Sequence, residues 1–360
     1  MPAYRRFTQY HVEHHNGFAW GETLMDINVA LRREPWVDIA KGIAICLVAF
    51  HHSLQIASAY GWEDDVVSFI NRFFETLRMP LFFTVSGLLA ANSIRTCSFS
   101  ALFQKKLVLL IWLYFFWCAI RSVWFSVVTW PFGELKPLLT FLLSPVLPWS
   151  GLWYLYGLVV YMAFAWVIRR QHILVQLGVA TFVSLGFSSG VFQVPGSYTW
   201  TSIGTYFLFF LCGVQGKELI HFFAQRQSFF KMVFFAAIFC SLAILLQDVS
   251  GASRVLLKLL VSFFAVAAGI SIAVYFSKFP FLFSWIEHLG RNTLAIYVAH
   301  VLAISAIVPM IPIGIIPLWV LVCSVAALSI AVSLGLRALL ERFDGVYTLP
   351  RLVARRFQSG

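Results

Sequence analysis

The chain has 360 residues, 60% of them hydrophobic and only 11% charged, with a net charge of +11. Soluble domains carry about 25% charged residues, so this composition excludes an ordinary soluble fold and describes a polytopic membrane protein. The basic excess fits positively charged loops and anionic lipid headgroups rather than nucleic acid, and the six cysteines, with no CxxC pair, offer neither a disulfide framework nor a zinc site.

Residues 1–35 read as a polar cytoplasmic tail with Arg5, Arg6, Arg32 and Arg33 and no apolar signal-peptide core. Its His11, His14 and His15 have no further ligand beside them and are read as part of a disordered tail rather than a metal site.

The first long apolar segment covers about 37–59. It opens on Trp36-Val37-Asp38 and carries Lys41, His51 and His52. Lys41 and His52 are eleven residues apart, close to three turns, so they share a face about 16 Å apart along the axis. Asp38 lies near that face, and His51 points about 100° away. Such a helix sets a cation near the membrane surface and an imidazole deep inside, an arrangement suited to a long anionic ligand with a reactive end. The competing reading has Lys41 snorkelling to the headgroups and His52 bonded to a neighbouring helix.

The second predicted span, about 70–93, contains Glu75 and Arg78 one turn apart, a spacing that permits a pair. Pro80 removes a backbone bond inside it, and Ser86-Gly87 permits close helix approach. The third, about 106–128, holds Arg121, which must face the bundle interior or a water-filled pocket, either to bind substrate or to pair with an acid. A connection with Pro131, Pro137, Pro145 and Pro148 follows. Seven further spans are predicted at about 151–168, 173–192, 201–216, 230–247, 256–277, 292–311 and 315–338. Trp153, opening the fourth span, fits a sugar-site wall or the aromatic belt. In the ninth, Tyr297 and His300 share a face at i, i+3, and Arg291 stands at the helix start, suited to snorkelling or to a phosphate. A basic tail, 341–360, closes the chain.

The ten-span model distributes Lys and Arg unevenly. One set of loops and tails holds nineteen, while the opposite set holds four, namely Arg72, Lys136, Arg254 and Lys258. By the positive-inside rule both termini are expected in the cytoplasm.

Several of these blocks carry a resemblance. Lys41 and His52 with ten residues between them; Arg78-Met79-Pro80 followed by Phe82-Phe83 and Ser86-Gly87; Leu152-Trp153-Tyr154-Leu155; Leu211-Cys212-Gly213; and Gly290, Leu294, Tyr297 and His300 occur in chain order over about residues 34–340. Together they resemble the signatures of the acyltransferase-3 family of membrane O-acyltransferases, in its single-domain form that acts in exopolysaccharide synthesis. Lys41 stands where many members have Arg, which keeps the charge and loses bidentate phosphate binding. The resemblance implies an all-α polytopic domain over 36–340 in a bacterial inner membrane. It implies acetyl transfer from acetyl-CoA, a co-substrate rather than a permanently bound cofactor, to a carbohydrate hydroxyl of an exopolysaccharide, lipopolysaccharide or lipid-linked sugar, alongside polysaccharide-biosynthesis machinery. His52 is then the expected base or acyl relay, and Arg78 stabilises the oxyanion or orients the histidine, with Tyr297 and His300 as secondary catalytic candidates. Asp38, Lys41, Ser86, Arg121, Trp153 and Arg291 form the expected substrate-binding set, and no metal is expected. A transporter of polysaccharide or lipid-linked sugar is the alternative, but its paired broken helices in matching halves are not legible here. A scaffold without chemistry would leave His52 and Arg78 unexplained.

Overall fold

The computed structural model describes residues 34–130, 137–148, 151–194, 197–351 and 353–354. The His11, His14 and His15 cluster, Lys136 and Arg355–Arg356 lie outside them. Met1–Pro35 separates as its own unit, of which only Glu34 and Pro35 are described, and Trp36–Gly360 is one compact unit. The described residues are helical with no strand, and helix makes up 81% of the structure.

Helix α1 runs Pro35–Ala59, α2 Asp65–Phe73 and α3 Glu75–Thr96; a short α4, Phe99–Leu102, passes through a π-turn at Phe103–Leu107 into α5, Val108–Trp124. After α6, Pro137–Leu143, come α7 Trp153–Ile168, α8 Ile173–Ser188, α9 Tyr198–Gln215 and α10 Lys217–Gln225. The chain continues with α11 Phe229–Asp248, α12 Gly251–Ser277, α13 Pro280–Arg291, α14 Thr293–Ile307 and α15 Leu318–Leu340. Local chemistry sets several starts. The Asp64 carboxylate accepts from Val67 N–H at 3.0 Å and caps α2, and Ser197 does the same for α9 through Trp200 N–H at 3.4 Å.

Among the described residues seven helices are long and apolar enough to cross a membrane, or eight when α9 and α10, bent by 73°, count as one span. Each of the ten expected segments coincides with a helix. The difference in count comes from α7 and α8, apolar but only 16 residues long, about 24 Å against a hydrocarbon core of about 30 Å. Two expected loops are helical instead. Arg254 and Lys258 lie within α12, and most of 278–291 is α13.

The bundle is built round α3. The segment holding it, Asp65–Thr96, is 78% buried over its most apolar window, against 17% for α11 at the periphery. A close crossing fixes α3 on α9. A Cβ at Gly87 would stand 2.0 Å from Phe210 O, and one at Gly213 2.0 Å from Thr84 O. Only glycine permits that approach, the small-residue packing that membrane helices use in place of a hydrophobic drive. Pro80 sits inside an unbroken α3, where Thr84 Oγ donates to Pro80 O at 2.8 Å. At the chain's end, Trp112 Nε1 donates to Gly345 O at 2.7 Å and Trp117 Nε1 to Val346 O at 3.1 Å, so the start of the basic tail docks on α5.

Candidate active site

The expected residues gather into two linked regions. At the first, near the start of α1, Lys41 Nζ meets Asp38 Oδ1 at 2.9 Å, and Arg291 Nε lies 3.8 Å from Asp38 Oδ2 while its Nη2 binds Glu287. Asp38 is nearly fully buried, so it holds two cations from α1 and α13 at one point. Beside this cluster opens a cavity of about 250 Å³. Lys41 and Lys106 line it, the walls are apolar, with Leu89, Leu110 and Leu158 among them, and its polar lining also includes Ser86, Tyr154 and Tyr297. Ser86 Oγ and Tyr154 Oη are 2.6 Å apart, and Ser86 also donates to Phe82 O at 2.7 Å. The Tyr154 ring stacks on Phe82 with centroids 4.6 Å apart.

Tyr297 joins the cavity to the second region. Its hydroxyl donates to Gly151 O at 3.2 Å and accepts from Tyr154 N–H at 3.0 Å, which satisfies a free amide at the start of α7. One turn on, His300 lies 6.2 Å from the Tyr297 ring and 5.2 Å from His52, centroid to centroid. His300 Nδ1 is 2.8 Å from Ile296 O. A carbonyl only accepts, so the proton sits on Nδ1, and Nε2, buried with no hydrogen-bond partner, is a bare acceptor. His52 Nδ1 meets Gln55 Oε1 at 3.1 Å; an amide oxygen likewise accepts and leaves His52 Nε2 basic. His52 is partly exposed and His300 only 1% exposed, so of the pair His52 is the one an incoming group can reach.

Two arginines flank the histidines. Arg78 does not pair with Glu75 one turn away. Glu75 is instead bound to Lys258 of α12 at 2.5 Å, and Arg78 Nη1 donates to Asn71 Oδ1 at 2.8 Å and to Asn71 O at 3.4 Å. The i, i+3 spacing permitted the pair, but a cross-helix lysine took the acid. Asn71 Oδ1 also meets His51 Nδ1 at 3.1 Å, so His51 bonds the neighbouring helix α2. Arg121, in the last turn of α5, is 4% exposed, and its Nε and Nη1 have no hydrogen-bond partner. It thus faces the bundle interior, and it makes no ion pair among the described residues. Trp153 faces aromatic neighbours, 5.8 Å from Phe83 and 6.1 Å from Tyr206 by ring centroid.

Sequence reasoning missed Asn71, Gln55, Tyr154, Lys106, Tyr206 and Lys258. Of these Lys106 and Lys258 were counted only as loop charge, and Tyr154 was read only as part of the Leu152–Leu155 block. The others are ordinary residues on their own helices and gain a role only from the helix that meets them. Among the described residues no three His, Cys, Asp or Glu side chains gather as a metal site, and none of the six cysteines is in a disulfide.

Helices of this length and apolarity, packed around buried histidine and arginine side chains, describe a multi-pass membrane protein. The family model described as an acyltransferase domain matches residues 34–338, and the chain therefore belongs to the acyltransferase-3 family. No curated protein and no solved structure matches it. Family and fold together make it a membrane acyltransferase.

Proposed function

We propose that this protein transfers an acyl group, acetyl from acetyl-CoA, to a hydroxyl of a cell-surface carbohydrate, with His52 as the general base. The carrying observation is a single cavity lined by Lys41 and Lys106, by apolar walls and by Tyr297, which is one turn from the His300–His52 pair. Coenzyme A is polyanionic at one end and a long thin arm at the other. Two lysines at the mouth suit its phosphates, and Arg291 is close enough to join them once Asp38 and Glu287 release it. The apolar walls suit the arm and keep water from the thioester.

At the inner end the acceptor hydroxyl gives its proton to His52 Nε2 as its oxygen attacks the thioester carbonyl. The carbon–sulfur bond then breaks, and the leaving thiolate takes the proton back from the imidazolium, so that free coenzyme A and a sugar ester result. Gln55 holds the tautomer that leaves Nε2 free, and the His300 ring, with its own Nε2 bare, stands 5.2 Å from the His52 ring by centroid. The Trp153–Tyr206–Phe83 ring cluster offers flat apolar faces for a pyranose near the same helices. The membrane is read as the bacterial inner membrane with the Lys41 end at the cytoplasm, in keeping with the nineteen-to-four charge count. The acceptor is an exopolysaccharide, a lipopolysaccharide or a lipid-linked sugar.

The test is twofold. Purified protein should consume acetyl-CoA when given carbohydrate from its host, and NMR of the host's surface polysaccharides with and without the gene should show an acetyl ester that disappears. Intact acetyl-CoA would remove the donor assignment, and an unchanged polysaccharide would remove the acceptor.

A further inference from the structure

Arg121 is a buried cation with donors to spare. It lies 4% exposed in the last turn of α5, and neither Nε nor Nη1 has an acceptor. The described partner of its charge is the Phe125 ring, 5.4 Å from the guanidinium carbon, a weak contact for a desolvated ion. A guanidinium left like this in a bundle interior is expensive to hold. It persists here in a fixed place. The Nη2 side packs on Gly151, where a Cβ would stand 2.8 Å from Nη2, and Gly151 has φ +74°. The same Gly151 carbonyl accepts the Tyr297 hydroxyl. Arg121 is therefore seated one residue from the Tyr297 bond, and Tyr297 is one turn from the His300–His52 pair.

Arg78 contrasts with it. Its Nη1 is committed twice to Asn71, which also holds His51, so Arg78 acts through the α2–α3 junction. We infer that Arg121, rather than Arg78, binds the negative charge that forms on the acyl carbonyl oxygen during transfer. This rests on the acyl-transfer reading above. When the hydroxyl oxygen adds to the carbonyl carbon, the C=O π pair moves onto oxygen. Nε and Nη1 then gain the acceptor they lack in the resting protein, and they lose it when the carbon–sulfur bond breaks. A donor pair without a ground-state partner is suited to charge that appears only in the transition state.

The experiment compares wild type, Arg121→Lys and Arg121→Gln as full chains in detergent or nanodiscs, with kcat and both KM values measured. Removing such a donor costs about 10²- to 10³-fold in kcat. Arg121→Gln should show that loss with both KM values within about threefold of wild type. Arg121→Lys, which keeps the charge and so guards against a folding failure, should still lose at least about tenfold in kcat, because an ammonium does not reproduce the two-donor edge. Near-wild-type kcat in Arg121→Lys and Arg121→Gln overturns the inference. So does a loss confined to the acceptor KM, which would make Arg121 the holder of an acidic sugar. If wild type leaves acetyl-CoA intact, the donor reading falls by itself. The same variants are then read by the ester content of carbohydrate from cells carrying them, where wild-type ester with Arg121→Gln overturns the inference.

Discussion

The adjacent histidines give a direct control for the mechanism. His51 and His52 have ring centroids 5.1 Å apart and share one backbone, one depth and one helix. Their partners differ. His51 gives up Nδ1 to Asn71 at 3.1 Å on α2, whereas His52 faces His300 and binds Gln55. Replacing His51 by alanine removes one partly buried hydrogen bond, worth about 1 kcal/mol net. At about 1.36 kcal/mol per tenfold, that converts to roughly a fivefold loss if all of it is felt in the transition state. On the proposed mechanism, replacing His52 removes the base, typically about 10²- to 10⁴-fold. His52→Ala should therefore fall at least about twentyfold below His51→Ala. The assay is acetyl transfer from acetyl-CoA by purified variants matched in expression and monodispersity. Full activity in His52→Ala, or a deeper loss in His51→Ala, refutes both the assignment and the alignment of the Lys41–His52 spacing behind it.

Other outcomes follow from the same structure. Lys41→Glu combined with Lys106→Glu should raise the KM for acetyl-CoA at least about tenfold, with Lys41→Arg close to wild type; titration of acetyl-CoA settles it, and an unchanged KM would return both lysines to lipid headgroups. Gly213→Leu places a side chain where Thr84 O already stands 2.0 Å from a Cβ, so the α3–α9 crossing must open. A cost of at least about 1–3 kcal/mol is expected, read as a lower thermal midpoint in detergent, and an unchanged midpoint would show the crossing to be loose. Reporter fusions after residue 133 and after residue 356 should give opposite signals if the charge asymmetry sets the topology, and matching signals would overturn the ten-span model.

What the sequence disclosed and what it withheld divide along one physical line. Apolar length is a property of a single helix, so α1, α3, α5, α11, α12, α14 and α15 were all legible. So was the i, i+3 relation that puts Tyr297 and His300 on one face. Which helix that face meets is not encoded in periodicity. Glu75 and Arg78 were spaced to pair, yet Lys258 arrives from α12, 183 residues away, and takes the acid. Asn71 looked like any polar residue near a helix end, although it ties His51 to Arg78. The glycines fall between these cases. Gly87 was readable as a close-approach site, but its counterpart Gly213 became one only when Phe210 and Thr84 were brought against the pair. Span count was least legible for α7 and α8, whose 16 residues fall short of the bilayer although they are as apolar as their neighbours.

The arginines show how far geometry carries the functional reading. In a membrane bundle an ionisable side chain is kept only where something compensates its desolvation, so the compensation tells the role. Lys41 and Arg291 meet Asp38, Lys258 meets Glu75 and Arg95 meets Glu218. Each of these can be explained as structure alone. Arg78 and Arg121 are the two cations less than a tenth exposed among the described residues, and neither makes an ion pair there. Arg78 has an amide in place of an acid, enough to orient it beside His51 but not to neutralise it. Arg121 has less still. Two uncompensated positive charges on either side of neutral imidazoles would destabilise a resting bundle for no return, unless negative charge arrives during turnover. On the proposed reading acyl transfer supplies it twice, on the phosphates of an acyl-CoA donor and on the carbonyl oxygen. On that reading the lysines lining the cavity meet the first, and Arg121, with no acceptor of its own, meets the second.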